Sequence, residues 1–168
     1  MTKRLILTRH AKSSWDNTEM ADHDRPLNKR GRGAAADLGA WLASRGYVPD
    51  EVISSDARRT QETWDGIAAV LPTAPAPRFT HKLYQAPADV MLAVLRHAKG
   101  DTVMMLGHNP GIAEFAQRLV GRAPLNPEFA RYPTGATLVA EFPIDDWADL
   151  APGSGAADDF IVPREMEG

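Results

Sequence analysis

The stretch Leu5–Trp15, LILTRHAKSSW, begins as a buried strand and ends in a cation, an imidazole and two hydroxyls. An apolar run that merely stopped would do so in Gly, Asn or Pro. This one stops in Arg9 and His10, with Lys12, Ser13 and Ser14 close behind. Those are the side chains a phosphate-handling loop would want. Whether they do so depends on what the rest of the chain brings to them.

The same pattern of apolar run followed by polar turn recurs. EVISS, residues 51–55, leads into SSDARRTQET, residues 54–63, and DTVMML, residues 101–106, leads into Gly107-His108-Asn109-Pro110. Between these strands lie helical segments. Asn28 is placed to cap a helix running to Arg45, with Ala35, Leu38, Trp41 and Leu42 on one face and Gly46 at its end. A second helix spans 57–70. A third spans 88–99, with Met91, Leu92, Val94 and Leu95 as its buried stripe. A fourth opens with Asn109 as cap and Pro110 at its first position. RFTHKLY (78–84), GATLVAEF (135–142) and FIVP (160–163) read as further strands, and 11–27 and 146–159 as loops. Strands alternating with helices mean an α/β sandwich. The expectation is one domain over 1–168, with a flexible tail after about 163.

Composition narrows the function. The chain has 168 residues, 43% of them hydrophobic, a net charge of −3 and no cysteine. That charge argues against a nucleic-acid or membrane-surface binder. The missing thiols exclude disulfides and thiolate metal sites and fit a reducing compartment. The apolar start, Leu5–Leu7, is too short for a signal core or a membrane span. A cytoplasmic monomer is the expectation.

Ligands of open α/β sheets bind beyond the carboxyl ends of the strands. Collecting the residues just after the strands gives Arg9 and His10, Arg58, and His108. A neutral imidazole is a good nucleophile near pH 7, guanidiniums bind phosphoryl oxygens bidentately, and a second imidazole can donate to the same oxygens. Transfer of a phosphoryl group to nitrogen is the chemistry these four suit. Arg58 and Arg59 are adjacent, and both could be surface charges on a helix. Lys12, Ser13, Ser14 and Asn109 are candidate substrate-binding residues, Asn109 doubling as a helix cap. The five histidines show neither HxH nor HExxH spacing, so no metal site is expected.

TRHAKSSW, SSDARRTQET and GHNPG together resemble the histidine phosphatase superfamily, of phosphoglycerate-mutase-like fold, and most closely its SixA-like phosphohistidine phosphatases. The family's RHG motif stands here as Arg9-His10-Ala11, its S-x-x-x-R-A-x-Q motif as Ser54, Arg58, Arg59 and Gln61, and its second histidine as His108. The resemblance implies a three-layer sandwich with a mixed, mostly parallel sheet. It implies a nucleophilic His10, a phosphoryl group held by Arg9, Arg58 and His108, and no metal or organic cofactor. Two departures stand out. Ala11 replaces the usual glycine, and the glutamate acid that many relatives carry after the third strand is absent. Asp89 is the nearest carboxylate and the candidate acid, though it serves equally as a first-turn residue facing a helix dipole, and Asp16, Asp22 or Asp24 of the 11–27 loop could supply the acid in its place.

The implied function is a cofactor-independent phosphatase acting on a protein phosphohistidine or a small phosphorylated metabolite. The alternatives are a small-molecule ester phosphatase or mutase of the same fold, and a non-catalytic phosphate- or phosphoprotein-binding module. The absence of a long lid insertion disfavours a mutase.

Overall fold

The computed structural model describes residues 1–166. Six strands form one sheet in the order β3-β2-β4-β1-β5-β6. They are β1 (Lys3–Arg9), β2 (Glu51–Ser55), β3 (Arg78–Thr80), β4 (Thr102–Gly107), β5 (Thr137–Phe142) and β6 (Ala156–Ile161). The pairs β1–β4, β2–β4 and β2–β3 are parallel, whereas β5 runs against both β1 and β6. The sheet is therefore mixed and mostly parallel, as the resemblance implies.

Period-two alternation divides the strands between two cores. Leu5, Leu7, Val103, Met105 and Ile53 face one side, where α3 (Ala88–Leu95) and α4 (Gly111–Leu119) supply Met91, Leu95, Ile112 and Phe115. Ile6, Met104, Leu106 and Val52 face the other, against Leu38 and Leu42 of α1 (Lys29–Arg45) and Trp64 and Ile67 of α2 (Arg58–Ala68). This burial on both faces makes β1 and β4 continuous apolar runs in the sequence.

The ends of α1 follow local chemistry. The Asn28 side chain accepts from the Gly31 N–H at 2.8 Å, and Gly46 closes the helix in the left-handed region at φ 72°. Elsewhere several boundaries move. The third helix stops at Leu95 rather than 99, because His97 and Ala98 close a tighter turn onto Val94 and Leu95. The strand expected at 78–84 shortens to Arg78–Thr80, followed by a 3₁₀ turn, His81–Leu83. The last strand starts at Ala156, inside the expected loop. Asp158 and Asp159 disguised it, and the Tyr47 hydroxyl satisfies Asp159 at 2.6 Å. Past residue 163, where a flexible tail was expected, Pro163–Met166 form a helical turn, α5. Met166 packs on the α1–α2 core, and the last two residues lie outside the described ones. No helix among the described residues is long and apolar enough to cross a membrane.

Between the parallel and antiparallel parts of the sheet sits Tyr132, fully buried. Its hydroxyl donates to the Leu7 carbonyl at 2.6 Å and accepts from the Leu138 N–H at 3.0 Å, tying β1 to the start of β5. The Tyr132 carbonyl in turn accepts from Arg9 and Asn109, so one residue joins the sheet to the site above it.

Candidate active site

Because β1, β2 and β4 are parallel, their carboxyl ends share one edge of the sheet, and the residues that follow them meet there. A cavity at this edge is lined by Arg9, His10, Lys12, Ser13, Trp15, Asp22, Arg25, Arg59, Gln85, His108, Asn109 and Thr134. Two glycines let its walls close. A Cβ on Gly31 would stand 2.0 Å from the Lys12 carbonyl oxygen, and one on Gly111 would stand 1.8 Å from that of Ala86. Any side chain at either position would push a wall outward.

The two histidines face each other with ring centroids 5.3 Å apart. His10 is 5% exposed, and its Nδ1 lies 2.7 Å from the Ala11 carbonyl oxygen. A carbonyl only accepts, so the proton of the neutral ring is on Nδ1, and the Nε2 lone pair is left for attack. Burial, with His108 and the guanidiniums of Arg9 and Arg59 nearby, pushes the His10 pKa well below its ordinary value, outweighing the bond to Ala11. His108 is lowered to about 3, by burial first and then by Arg59. Its Nε2 lies 2.8 Å from Ser55 Oγ.

A proton NMR titration tests these shifts. A free imidazole is half protonated near pH 6.5, about the unperturbed value. Shifts downward mean that the His10 and His108 ring resonances hold their neutral positions as the pH falls through that point. Titration of His10 with an ordinary midpoint would contradict the burial argument.

Of the two adjacent arginines, the structure brings Arg59 and not Arg58 to the cavity. Arg58 is the first residue of α2, points to solvent and pairs with Glu62 one turn on, at 3.0 Å. Arg59 is 2% exposed and donates to the carbonyl oxygen of Asp22 at 2.7 Å and to its carboxylate at 3.0 Å. The motif therefore reads Ser55-x-x-x-Arg59, one residue later than expected. The helical stripe carries the reason: Arg59, Thr63 and Ile67 are buried at four-residue spacing, and Arg58 lies off that face.

Of the three loop aspartates offered as alternative acids, Asp22 is the one that lines the cavity. Its carboxylate accepts from Arg25 at 2.9 Å, from Arg59, from the Tyr84 hydroxyl and from Gln85 at 3.3 Å. Burial pushes its pKa up, but the bonds from Tyr84, Arg25 and Arg59 outweigh this and hold it far below the usual carboxylate range. It is ionised and occupied. Arg25 also bonds Ser13 Oγ and the Ser14 carbonyl, and its guanidinium stacks 3.2 Å above the Trp15 ring. The irregular segment 11–27 is thus gathered around one guanidinium. Isolated charges in a polar loop carry no periodicity, so nothing in the single sequence ranked Asp22 above Asp16 and Asp24, or marked Arg25 at all.

Other candidates are placed plainly. Lys12, Ser13 and Asn109 line the cavity, while Ser14 does not; its hydroxyl accepts from the Asp16 N–H instead. Asn109 caps no helix. α4 begins at Gly111 after Pro110, and the Asn109 amide donates to the carbonyls of Arg131 and Tyr132 at 2.8 and 3.1 Å. Asp89 is far from an acid's position, an exposed first-turn residue of α3 that lies 3.8 Å from Arg118. Ala11 is accommodated without backbone strain, since positive φ outside glycine is confined to Gln85 and Tyr132 among the described residues.

The chemistry of the cavity lies in what is left over. Arg9 Nε, Arg59 Nε and His108 Nδ1 are buried without a hydrogen-bond partner among the described residues, as is Asn109 Oδ1. A buried polar group without a partner costs roughly 1–3 kcal/mol. Several on residues lining one cavity, on two cations and an imidazole, are what an anion with several acceptor oxygens would satisfy together.

Comparison with known proteins agrees. The sequence signature of the histidine phosphatase superfamily (branch 1) matches residues 5–82. An uncharacterized chloroplastic protein of Arabidopsis thaliana is 36% identical over 132 residues, 72% of this chain, and this chain spans 61% of that protein's length. An uncharacterized protein of Mycobacterium tuberculosis is 33% identical over 164 residues, covering 93% of this chain and 99% of that one. Among solved structures, a provisionally named phosphohistidine phosphatase SixA from Nakamurella multipartitia matches with a TM-score of 0.81 and 28% identity, over 97% of both chains. The matched segment includes Arg9, His10 and Arg59, all three of which line the cavity. The chain belongs to the histidine phosphatase superfamily.

Proposed function

We propose that the protein hydrolyses phosphohistidine through a phosphohistidine of its own on His10. The observation that carries this reading is the set of unpartnered donors, Arg9 Nε, Arg59 Nε and His108 Nδ1, around an imidazole whose free nitrogen is Nε2. His10 Nε2 attacks phosphorus in line, a P–N bond forms, and the bond to the leaving group breaks. Water then attacks the phosphorus of the phosphoenzyme, giving inorganic phosphate and the free imidazole. Through both steps the Nδ1–H bond to Ala11 holds the ring in place and grows stronger as the phosphorylated ring becomes more positive. Arg9, Arg59 and His108 supply donors to the three phosphoryl oxygens.

The substrate preference rests on the leaving group. An alkyl phosphate expels a strongly basic alkoxide and needs a well-placed acid. Asp22, the one carboxylate lining the cavity among the described residues, is ionised and already accepts four donors. Phosphohistidine leaves as a weakly basic neutral imidazole once its other nitrogen is protonated, and asks for less. A second hollow shares Lys12 and Thr134 and adds Arg30, Arg131 and Arg164 against one carboxylate, Glu128, which pairs with the last two at 3.5 and 3.8 Å; the cationic excess suits an acidic protein surface around the phosphorylated residue.

A panel of phosphoryl donors tests the reading. Higher kcat/KM is expected for phosphohistidine peptides and phosphoramidate than for sugar phosphates or phosphoglycerate. Efficient cleavage of an alkyl phosphate with phosphohistidine untouched would assign the enzyme to small esters instead.

A further inference from the structure

Beside the cavity, and outside the phosphoryl path, three side chains from distant parts of the chain converge on one point. His23 comes from the 3₁₀ turn Asp22–Asp24, Asp56 from the link between β2 and α2, and His81 from the 3₁₀ turn after β3. His23 Nε2 lies 2.8 Å from Asp56 Oδ1, and His81 Nδ1 lies 3.2 Å from that same oxygen and 3.1 Å from Oδ2. The three ligand atoms all lie within 4.8 Å of one another. We infer that His23, Asp56 and His81 form a binding site for a divalent transition cation of the Zn²⁺ class.

The geometry needs little adjustment. Zinc held tetrahedrally by bonds of about 2.0–2.1 Å keeps its ligand atoms roughly 3.3 Å apart. The two His–Asp56 separations, 2.8 and 3.1 Å, already lie near this, and with all three atoms within 4.8 Å the remaining closure is at most about 1.5 Å, within reach of side-chain torsions. Two imidazole nitrogens and one carboxylate oxygen are a borderline donor set, matched to Zn²⁺ or Co²⁺ rather than to Mg²⁺ or Ca²⁺. With neutral imidazoles the site carries one negative charge, supplied by Asp56. The surroundings resemble an outer shell. The other His23 nitrogen, Nδ1, lies 3.8 Å from Asp24 Oδ1, and the Tyr84 ring packs edge-on against His23 at 4.9 Å. His81 is 73% exposed, which leaves a coordination position open to water. Close sequence spacing cannot reveal such a site, because each ligand comes from a different turn.

The site also has a place in the architecture. His23 follows Asp22, the residue that orients Arg59, so a bound cation would pin the 11–27 segment to the end of β2. Its role is to hold a cavity wall, and the phosphoryl transfer does not pass through it.

The test uses the full chain without a histidine tag, freed of metal by chelator and dialysis. Titration with Co²⁺ is expected to give a visible d–d absorption band saturating at one equivalent, which Zn²⁺ then abolishes. At a hundredfold excess over Kd, Zn²⁺ should raise Tm by about 5–10 °C. His81→Ala and His23→Ala should each weaken Kd by more than the roughly 10–100-fold typical of losing an outer-shell partner. His10→Ala should leave metal binding unchanged. Because His81 is exposed, its variant keeps the test valid even if His23→Ala folds poorly. No band and no Tm shift at millimolar metal would overturn the assignment. So would binding that survives His81→Ala or disappears in His10→Ala, the latter placing the cation between the two cavity histidines.

Discussion

Replacing the nucleophile in His10→Ala should lower kcat by at least about 10⁴-fold, the scale on which removal of a covalent nucleophile registers. Rapid quenching of the native enzyme into alkali should trap an acid-labile, alkali-stable phosphoenzyme, and the variant should give none. Binding is a separate matter. Arg9, Arg59 and His108 remain, so the variant should still take up orthovanadate or phosphate with an affinity near that of the native protein. The combination matters: lost turnover with retained binding places His10 in the chemistry, whereas joint loss would mean that the substitution disturbed the cavity. Near-native turnover in the variant would refute the covalent route.

Arg59→Ala should reduce kcat/KM by about 10²–10³-fold, as expected for removing a preorganised donor to developing charge. Arg58→Ala should stay within about twofold, since an exposed helical ion pair such as Arg58–Glu62 contributes only about 0.3–0.5 kcal/mol. Removing Arg59 also takes two bonds from Asp22, so thermal unfolding of the variant must be measured beside its kinetics. Arg59→Lys separates charge from geometry. It restores the cation but not the planar fork, and should recover only part of the loss. If Arg58→Ala proves the damaging variant, the assignment of the motif to Ser55 and Arg59 fails.

These two adjacent arginines mark the limit of what was legible beforehand. Arg9, His10 and His108 could be located because each directly follows a buried strand, and parallel strands deliver their carboxyl ends to one edge. Arg58 and Arg59 sit a residue apart on a helix, where one step rotates a side chain by about 100°. Counting from Ser54 chose one; the four-residue spacing to Thr63 and Ile67 would have chosen the other. Asp89 was proposed as an acid by nearness along the chain, yet α3 carries it away from the strand ends. Asp22 and Arg25 had no local signal, because their roles arise from a loop folding onto Arg59. The strand over Ala156–Ile161 was missed in part because Asp158 and Asp159 lie on an edge, where charges are tolerated. The two cores and the order of elements were readable because apolar period is a property of each segment alone.

The cavity gathers Arg9, Lys12, Arg25 and Arg59 around a single carboxylate, on a chain whose net charge is −3. The remaining surface is therefore more acidic than the total indicates, and the molecule is electrically lopsided. An anionic partner approaching from most directions is weakly repelled. Within about 10 Å of the mouth, the Debye length at 0.1 M salt, the local cations take over. Encounter is thus selective by orientation before any contact forms, and a phosphorylated ligand that reaches the surface does so phosphoryl group first.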